Sequence, residues 1–307
     1  MSSILYLYLP IAGNSVNLLS IVGLGSVVGL LSGIFGVGGG FLMTPLLIMM
    51  GIPPTVAAAS DSNQIVGAST SGTLAHFRLG NVDIRMGLLL LAGGVAGGTA
   101  GVQIIKMLRQ LGNADFFISL TYVLMLGLIG GYMFLESLQS MRKAKGVDSA
   151  RESRYGRFVA GLPWQMNFPR SGIRLSLLMP LALGSLVGVL AAIMGVGGGF
   201  IMVPVMVYLL RMPMHVVVGT SLFQILFTCI DVTIMQSAEN HTVDFVLALL
   251  LLVGSSVGAQ VGAKIGRKLH GDHLKILLAS LVLAVMGKML FDLLAQPAVR
   301  LAYMGGH

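Results

Sequence analysis

A glycine-rich motif occurs twice in the chain, as Gly36-Val-Gly-Gly-Gly-Phe41 and as Gly195-Val-Gly-Gly-Gly-Phe200, each time inside apolar sequence. A glycine in a helix interior costs roughly 1 kcal/mol relative to alanine, so these runs predict that a helix breaks. The helix that restarts presents unpaired N–H groups and a positive dipole end, and glycine lets a ligand approach the backbone. The motif therefore predicts an anion site made by Gly36, Gly38, Gly39, Gly40, Phe41, Gly195, Gly197, Gly198, Gly199 and Phe200.

The same glycines have a second interpretation, in which they only let helices pack closely. Spaced pairs such as Gly97/Gly101 and Gly258/Gly262 are typical of such packing. Consecutive glycines exceed what a packing face needs, so we favour the anion site. Neither copy carries the Lys-Ser or Lys-Thr of a phosphate-binding loop, which excludes an ATP site of that kind.

Polar side chains mark two further segments, 54–77 and its counterpart 213–238. Residues three or four apart share one face of a helix, which predicts a polar stripe from each half facing a common cavity. Hydroxyl and amide groups there would donate hydrogen bonds to an anion, or else bond neighbouring helices together. The candidate substrate-binding residues are Ser62, Asn63, Gln64, Thr220, Ser221 and Gln224.

Asp61 and Asp231 are carboxylates inside these two segments. Ionisable residues at membrane depth are expensive and are functional candidates by default. An ionised carboxylate beside an anion site would repel the substrate, so each aspartate is a candidate for carrying a proton that is coupled to the anion. The alternative is a carboxylate at a helix end in contact with water. Scattered histidines and a single cysteine, Cys229, lead us to expect no metal and no cofactor.

The composition places these residues in a membrane. Of 307 residues, 55% are hydrophobic and 10% are charged, against about 25% charged in soluble proteins. About 20 apolar residues span a bilayer, and apolar segments recur at 15–35, 41–51, 54–77, 84–107, 114–138, 174–194, 200–211, 213–238, 243–265 and 273–295. We therefore expect an all-α integral membrane protein of about ten helices. Segments 41–51 and 200–211 are too short to span alone and are predicted to be half-helices.

Two homologous halves, 15–139 and 174–295, make up most of the chain. Residues 26–45 align without a gap with residues 185–204. With five crossings per half, an odd number, the second half must enter the membrane from the opposite side. That predicts an inverted repeat with broken helices at the glycine motifs. If the two short segments were re-entrant, each half would cross four times and the repeats would be parallel.

The net charge of +8 is concentrated in the connection 140–173. The positive-inside rule places this connection in the cytoplasm and makes nucleic-acid binding an unnecessary explanation of the charge. Both termini then lie outside, with Lys106 and Arg109 as exceptions to the rule. We expect the connection to be a surface-lying amphipathic stretch or a disordered linker. We expect no cleaved signal peptide, since no Lys or Arg precedes the first apolar segment.

The paired glycine motif is followed four residues later by Pro45 and Pro204. In a membrane protein of two halves, this pattern resembles the TauE/SafE family of sulfite exporter-like permeases. The resemblance covers residues 20–295 and both copies of the motif. It implies a secondary transporter in the cytoplasmic (inner) membrane of a bacterium, which exports sulfite or an organosulfonate by alternating access.

Other functional classes fit the sequence less well. An anion channel would keep the same anion site but would not alternate, and a non-transporting membrane subunit would use the basic connection for docking. An enzyme is not expected, because no nucleophile-base pair or metal cluster is present. The expected partners are a small anion and the lipid bilayer, and a homodimer is left open. The sequence also leaves open which anion is moved, the direction, and whether protons or sodium drive it.

Overall fold

The computed structural model describes residues 6–35, 40–142, 164–210, 212–266 and 271–295. This part of the chain contains five helices in the first half and five in the second. They are α1 (Leu18–Phe35), α2 (Gly40–Met49), α3 (Pro54–Arg78), α4 (Ile84–Gln110), α5 (Ala114–Arg142), α6 (Leu178–Met194), α7 (Gly199–Pro204), α8 (Met214–Met235), α9 (Phe245–Gly266) and α10 (Gly271–Ala295). π-Helical turns at Val205–Leu209 and Gln236–Asn240 continue α7 and α8. The prediction of an all-α protein is confirmed.

Several of these helices are long and apolar enough to cross a membrane. Within the described residues the spans are Ile84–Gln110, Ala114–Leu135, His215–Asn240, Phe245–Gly262 and Ile276–Ala295. The helices α1, α2 and α6 contain apolar stretches that are shorter. α3 is long enough to cross a membrane, but the polar residues of segment 54–77 lower its mean hydropathy. The chain is therefore a multi-pass membrane protein, as predicted.

Each half opens with a short β-hairpin that the sequence did not predict. Strands β1 (Tyr6–Leu9) and β2 (Asn14–Asn17) precede α1, and β3 (Gln165–Phe168) and β4 (Ile173–Ser176) precede α6. Gly13 and Gly172 have a φ of 66° at equivalent turn positions, a conformation that glycine adopts without strain. The repeat thus extends upstream of residue 15, and residues 164–173 of the basic connection belong to the second hairpin. Residues 143–163 lie outside the described part.

Each hairpin is fastened to the first turn of a helix in the other half. Asp83 caps α4 by accepting from Met86 N at 3.2 Å, and its other carboxylate oxygen accepts from Ser171 Oγ at 2.6 Å. Asp244 caps α9 through Leu247 N at 3.1 Å and accepts from Ile11 N at 3.4 Å. The β3–β4 hairpin therefore lies where α4 begins, and the β1–β2 hairpin lies where α9 begins. We call these two ends of the molecule the β3–β4 side and the β1–β2 side.

The helix pairs α1/α9 and α4/α6 run parallel, and their contacts establish the inversion. Gly25 of α1 faces Leu251, and Gly29, one turn later, faces Ser255 of α9. In the symmetric pair, Gly184 and Gly188 of α6 face Leu90 and Gly94 of α4. α4 begins on the β3–β4 side, whereas its counterpart α9 begins on the β1–β2 side. The two halves are therefore inverted, and the parallel arrangement is excluded.

The short helix α2 returns toward the side from which α1 started. The Asn14 side chain, next to the start of α1, donates from Nδ2 to Gly51 O, just after α2, at 2.7 Å. Thr55 N, at the start of α3, donates to Asp115 Oδ1 of α5 at 3.0 Å on this same side. The helices α1 and α2 thus form a hairpin whose two outer ends lie on the β1–β2 side. The first half therefore crosses the membrane three times, through α3, α4 and α5, and not five times as predicted; three is also an odd number, so the halves are still inverted.

Candidate functional site

The two glycine motifs meet at the centre of the molecule. The rings of Phe41 and Phe200, the last residue of each motif, stack with centroids 4.3 Å apart and planes 8° from parallel. A Cβ on Gly40 would lie 3.4 Å from the Val196 Cα of the other half. The two halves of the predicted site therefore come together. Gly36, Gly38 and Gly39 lie outside the described residues.

In the second copy the helix breaks as predicted. α6 ends at Met194, α7 begins at Gly199, and Gly195, Gly197 and Gly198 between them have φ values of 72°, 67° and 78°. These left-handed conformations are strained for residues with a Cβ. The run of glycines is thus required by the backbone itself, whatever binds there.

Packing explains part of the glycine run. A Cβ on Gly197 would lie 2.6 Å from the Cys229 sulfur and 2.8 Å from Ile225, and one on Gly195 would collide with the Ala58 carbonyl of α3. These two glycines lie against α3 and α8, so close helix contact accounts for them. Gly40 and Gly199 also line a cavity, and a Cβ on Gly40 would collide with Ile65 Cδ1, while one on Gly199 would lie 2.7 Å from Ile225 Cδ1.

This cavity has a volume of about 550 Å³ and lies between α1, α3, α8, α9 and the two glycine breaks. Its helical walls come from the parts of α1, α3, α8 and α9 nearer the β3–β4 side. Five of the predicted substrate-binding residues line it: Gly40, Gln64, Gly199, Phe200 and Ser221. The cavity thus brings residues of the glycine motif and of the polar segments together, and their role in binding a substrate stays a prediction.

Other polar residues of the cavity were missed by the sequence analysis. Ser32 of α1 and Ser255, Ser256 and Gln260 of α9 line the wall opposite α8. Gln64 Nε2 donates to Ser255 Oγ at 2.6 Å, which links α3 to α9. The spacing of Ser256 and Gln260, four residues apart, is the signal that was available. Nothing in the sequence indicated that α9 packs beside α1.

The remaining predicted polar residues have other surroundings. Thr220 Oγ1 accepts from Asp83 N, and the equivalent Ser60 Oγ accepts from Asp244 N, both at 3.0 Å. Gln224 Nε2 donates to Thr228 at 2.9 Å. Ser62 is buried and Asn63 is half-buried, and neither is among the described residues that line the cavity. The hydroxyls of Thr220 and Ser60 each accept a backbone N–H at the start of a helix in the other half, so helix capping accounts for these two residues.

Asp61 lies beside the cavity in a buried cluster of polar side chains. Its side chain is fully buried, and Thr44 Oγ1 donates to Oδ2 at 2.8 Å. Oδ1 has no hydrogen-bond partner within the described part of the chain. The buried Tyr122 hydroxyl lies beside Thr44 and donates to Met194 O at the end of α6. The aligned positions of Thr44 and Asp61 are Val203 and Ser221, so the cluster exists in one repeat only.

Asp231 has a different environment, near the β1–β2 side. It is half-buried, and its Oδ2 lies 3.2 Å from the place where a Cβ on Gly98 would be. Among the described residues this oxygen also has no hydrogen-bond partner. Within the same residues, no group of three or more His, Cys, Asp or Glu side chains is gathered that could hold a metal ion.

Helix α4 packs directly on α8 on the side away from the cavity. A Cβ on Gly94 would lie 2.7 Å from Thr228 Oγ1, and one on Gly98 would lie 3.1 Å from Val232. Beyond them, Gln236 Nε2 donates to Ala192 O at 3.2 Å. The side of the molecule opposite the cavity is therefore tightly filled.

Two basic residues close the end of this packed region. Lys106 pairs with Glu239 at 2.5 Å, and Arg109 donates to the Asn240 carbonyl. Both partners belong to the π-helical turn after α8. We call these two contacts the clasp. The charges of Lys106 and Arg109, the expected exceptions to the positive-inside rule, are thus used in contacts with the other half.

An inverted repeat, broken helices and a central cavity are typical of membrane transporters, a class without enzymatic activity. The sequence profile described as Sulfite exporter TauE/SafE matches residues 21–289. The chain belongs to this family, as the resemblance implied.

Relatives of known name agree with this class. The Probable membrane transporter protein YunE of Bacillus subtilis (strain 168) is 28% identical over 247 residues, which cover 76% of this chain and 83% of that protein. The Probable membrane transporter protein YjnA of the same organism is 26% identical over 267 residues, 86% and 96% of the two chains. The Sulfite exporter TauE/SafE family protein 5 of Arabidopsis thaliana is 46% identical over 52 residues, only 17% of this chain and 12% of that protein. No solved structure matches.

Proposed function

We propose that this protein is a secondary transporter that exports a small anion, such as sulfite or an organosulfonate, across the cytoplasmic membrane by alternating access. The observation that carries the proposal is the unequal packing of two equivalent helix pairs. α9 and α3 leave a cavity beside the contacts of Leu252 with Gly67 and of Ser255 with Gln64, whereas Gly94 and Gly98 of α4 lie directly on α8. Inverted repeats use such a difference to expose one site to each side in turn.

Small residues allow both α9 to pack on α3 and α4 to pack on α8. Ser255 and Ala259 of α9 align with Gly94 and Gly98 of α4. In the present state the bond from Gln64 to Ser255 joins polar groups across the cavity, while Gly94 touches Thr228. If α9 closed on α3 and α4 left α8, the cavity would open to the β1–β2 side. The aligned sequences of the two helices support both packings.

The anion would be held by neutral donors. Gly40 and Gly199 begin α2 and α7 at the cavity, where unpaired N–H groups favour negative charge. Gln64 and Ser221 add side-chain donors. We propose the backbone from Gly38 to Gly40 and from Gly197 to Gly199 as the anion cradle, with Gly195 and Gly197 also serving helix packing.

Asp61 is the stronger of the two candidates for proton coupling. An ionised Asp61 would be a buried charge whose Oδ1 has no partner among the described residues, and an unpaired buried charge is costly. A proton bound with the anion would remove that charge. Asp231 is half-buried and lies farther along α8, which supports a lesser role.

Basic residues support the orientation. Arg78, Arg85, Arg170 and Arg174 are exposed toward the β3–β4 side, so we propose that this side is cytoplasmic. Lys106 and Arg109, on the other side, are engaged in the clasp. The cavity would then face the cytoplasm, where an exporter takes up its substrate.

Flux measurements in vesicles test the proposal. The purified full-length protein is reconstituted, and methanesulfonate and sulfite are followed while a pH gradient is imposed in either direction. A proton-coupled transporter accumulates the anion above its starting concentration on the side toward which protons flow. Equilibration without accumulation would instead identify the channel, and no flux of any anion would favour the non-transporting subunit.

Matched variants test the coupling step. Asp61→Asn keeps the size and hydrogen bonding of the side chain but fixes it neutral, so anion binding should survive while the pH dependence of flux disappears. Asp231→Asn is the control at the half-buried position, and we expect a smaller effect. If both single variants and the double variant keep the wild-type pH profile, the coupling does not use these residues.

A further inference from the structure

The walls of the cavity differ in polarity. One wall, contributed by α1, α3 and α9, carries the polar residues Ser32, Gln64, Ser69, Ser255, Ser256 and Gln260, and we call it the polar wall. It also carries the apolar residues Val28, Ile65, Ala68 and Ala259. The opposite wall, from α7 and α8, carries Phe200, Val203, Val218, Leu222 and Ile225, and we call it the apolar wall. Ser221 is the polar exception on that side. A ligand that fills the cavity must therefore itself have a polar end and an apolar body.

The polar wall contains only neutral groups. Among the described residues that line the cavity none is charged. An anion would exchange its water shell for hydroxyl and amide donors and for the N–H groups at the start of α2. Desolvating a dianion without a fixed positive charge is much more costly than desolvating a monoanion. The wall therefore fits a single negative charge.

The volume of the cavity exceeds what a bare oxyanion needs. It measures about 550 Å³, within the range of about 300 to 1,000 Å³ that holds organic ligands. One water molecule has a share of about 30 Å³ in the liquid. An inorganic anion would leave much of the cavity as water in contact with the apolar wall. Displacing that water with an organic body is favourable, by about fourfold in affinity for each buried methylene.

We infer that the substrate is a monovalent organic anion with an apolar body of several carbon atoms, such as an alkanesulfonate, held with its charged group on the polar wall. This inference rests on the proposed function and narrows its range of substrates. Inorganic sulfite as a dianion carries more charge than the polar wall favours and has no apolar body for the apolar wall. The length of the apolar body, more than the identity of the acid group, then sets the affinity.

A homologous series of anions tests the inference. Binding of methanesulfonate, propanesulfonate, hexanesulfonate and sulfite to the purified full-length protein is measured by calorimetry, and their flux is measured in vesicles. We expect affinity to rise by about fourfold for each added methylene and sulfite to bind most weakly. Equal affinities along the series, or sulfite binding more tightly than hexanesulfonate, would overturn the inference.

A pair of matched variants separates binding in the cavity from partition into detergent or lipid. Val203→Thr places a hydroxyl on the apolar wall without changing its shape, and should reduce the preference for hexanesulfonate over methanesulfonate several-fold. Val253→Thr makes the same change on α9 at a residue that is 52% exposed and is not among the described lining residues, so the preference should stay as in the wild type. An identical preference in all three proteins would contradict the inference.

The outcomes also separate this inference from the proposed function. If sulfite and the short sulfonates are transported but chain length brings no gain, only the inference fails. If no anion of the series binds or moves, the proposed function fails, and the inference fails with it.

Discussion

Breaking the clasp should move the protein toward a state that is open on the β1–β2 side. The ion pair between Lys106 and Glu239 and the bond from Arg109 to the Asn240 carbonyl join α4 to the turn after α8. In the proposed exchange of packing, α4 leaves α8, and both contacts are then lost. The free energy of these two contacts therefore stabilises the present state relative to the state that is open on the β1–β2 side.

This free energy is small for each contact alone, but the sum of the two is large enough to measure. The Lys106 and Glu239 side chains are 40% and 32% exposed, so solvent screening reduces the pair to about 0.5 kcal/mol. The bond from the exposed guanidinium of Arg109 contributes about 1.5 kcal/mol, at the low end for a charged hydrogen bond. Together these give about 2 kcal/mol. The ratio of the two states should then shift by about twofold for Glu239→Gln and by about 30-fold for Lys106→Gln combined with Arg109→Gln.

Cysteine reactivity reports the shift directly. Thr228 is fully buried under α4 and Ser256 is exposed in the cavity. In a Cys229→Ala background, Thr228→Cys should react faster with a maleimide when the clasp is broken. Ser256→Cys should react more slowly. The opposite signs distinguish a change of state from general loosening of the fold.

Two controls make the result decisive. The exchange Lys106→Glu with Glu239→Lys restores the pair and should return reactivity toward that of the wild type. Lys288→Gln removes another exposed pair, with Asp292, on a helix that does not take part in the clasp, and should change neither reporter. If the double clasp variant leaves both reactivities unchanged, the clasp does not hold the state and the reasoning is refuted.

Three further outcomes are expected. Asp61→Asn should abolish the pH dependence of anion flux while leaving binding within about threefold, as measured in vesicles and by calorimetry, and an unchanged pH profile would contradict this. Gly199→Ala should weaken anion binding at least tenfold because the methyl group narrows the cradle, whereas Gly131→Ala, where a Cβ meets open space, should not; equal effects would indicate a loss of folding. In intact cells, Ser237→Cys should be labelled by an impermeant maleimide from outside and Arg170→Cys only after permeabilisation, and the reverse pattern would invert the proposed orientation.

The sequence predicted the fold class and the inverted repeat because both follow from local signals. Apolar segments of sufficient length mark the helices, and the aligned glycine motifs at Gly40 and Gly199 mark the equivalent breaks. Gln64 was found because it shares a face with other polar residues on one helix. Ser32 and Ser255 were missed because their role depends on α1 lying beside α9, more than two hundred residues later in the chain.

The capping contacts were also beyond sequence analysis. Ser60 and Thr220 look like lining residues, since small hydroxyls on a polar helix are typical of both cavities and helix caps. Only the placement of Asp83 and Asp244 against the opposite half reveals that each hydroxyl satisfies a helix start. The hairpins escaped prediction for a related reason: each has strands of four residues and is secured by an aspartate from the other half.

The pairing of α1 with α9 has a consequence for how the protein is made. Gly25 finds its neighbour Leu251 only after most of the chain has been synthesised, which at roughly 5 to 20 residues per second takes on the order of 10 to 50 seconds. During that time the glycine face of α1 lies in the bilayer or against the insertion machinery. Neither half alone can complete its helix contacts, so two separately produced halves should become protease-resistant only when they are synthesised in the same cell.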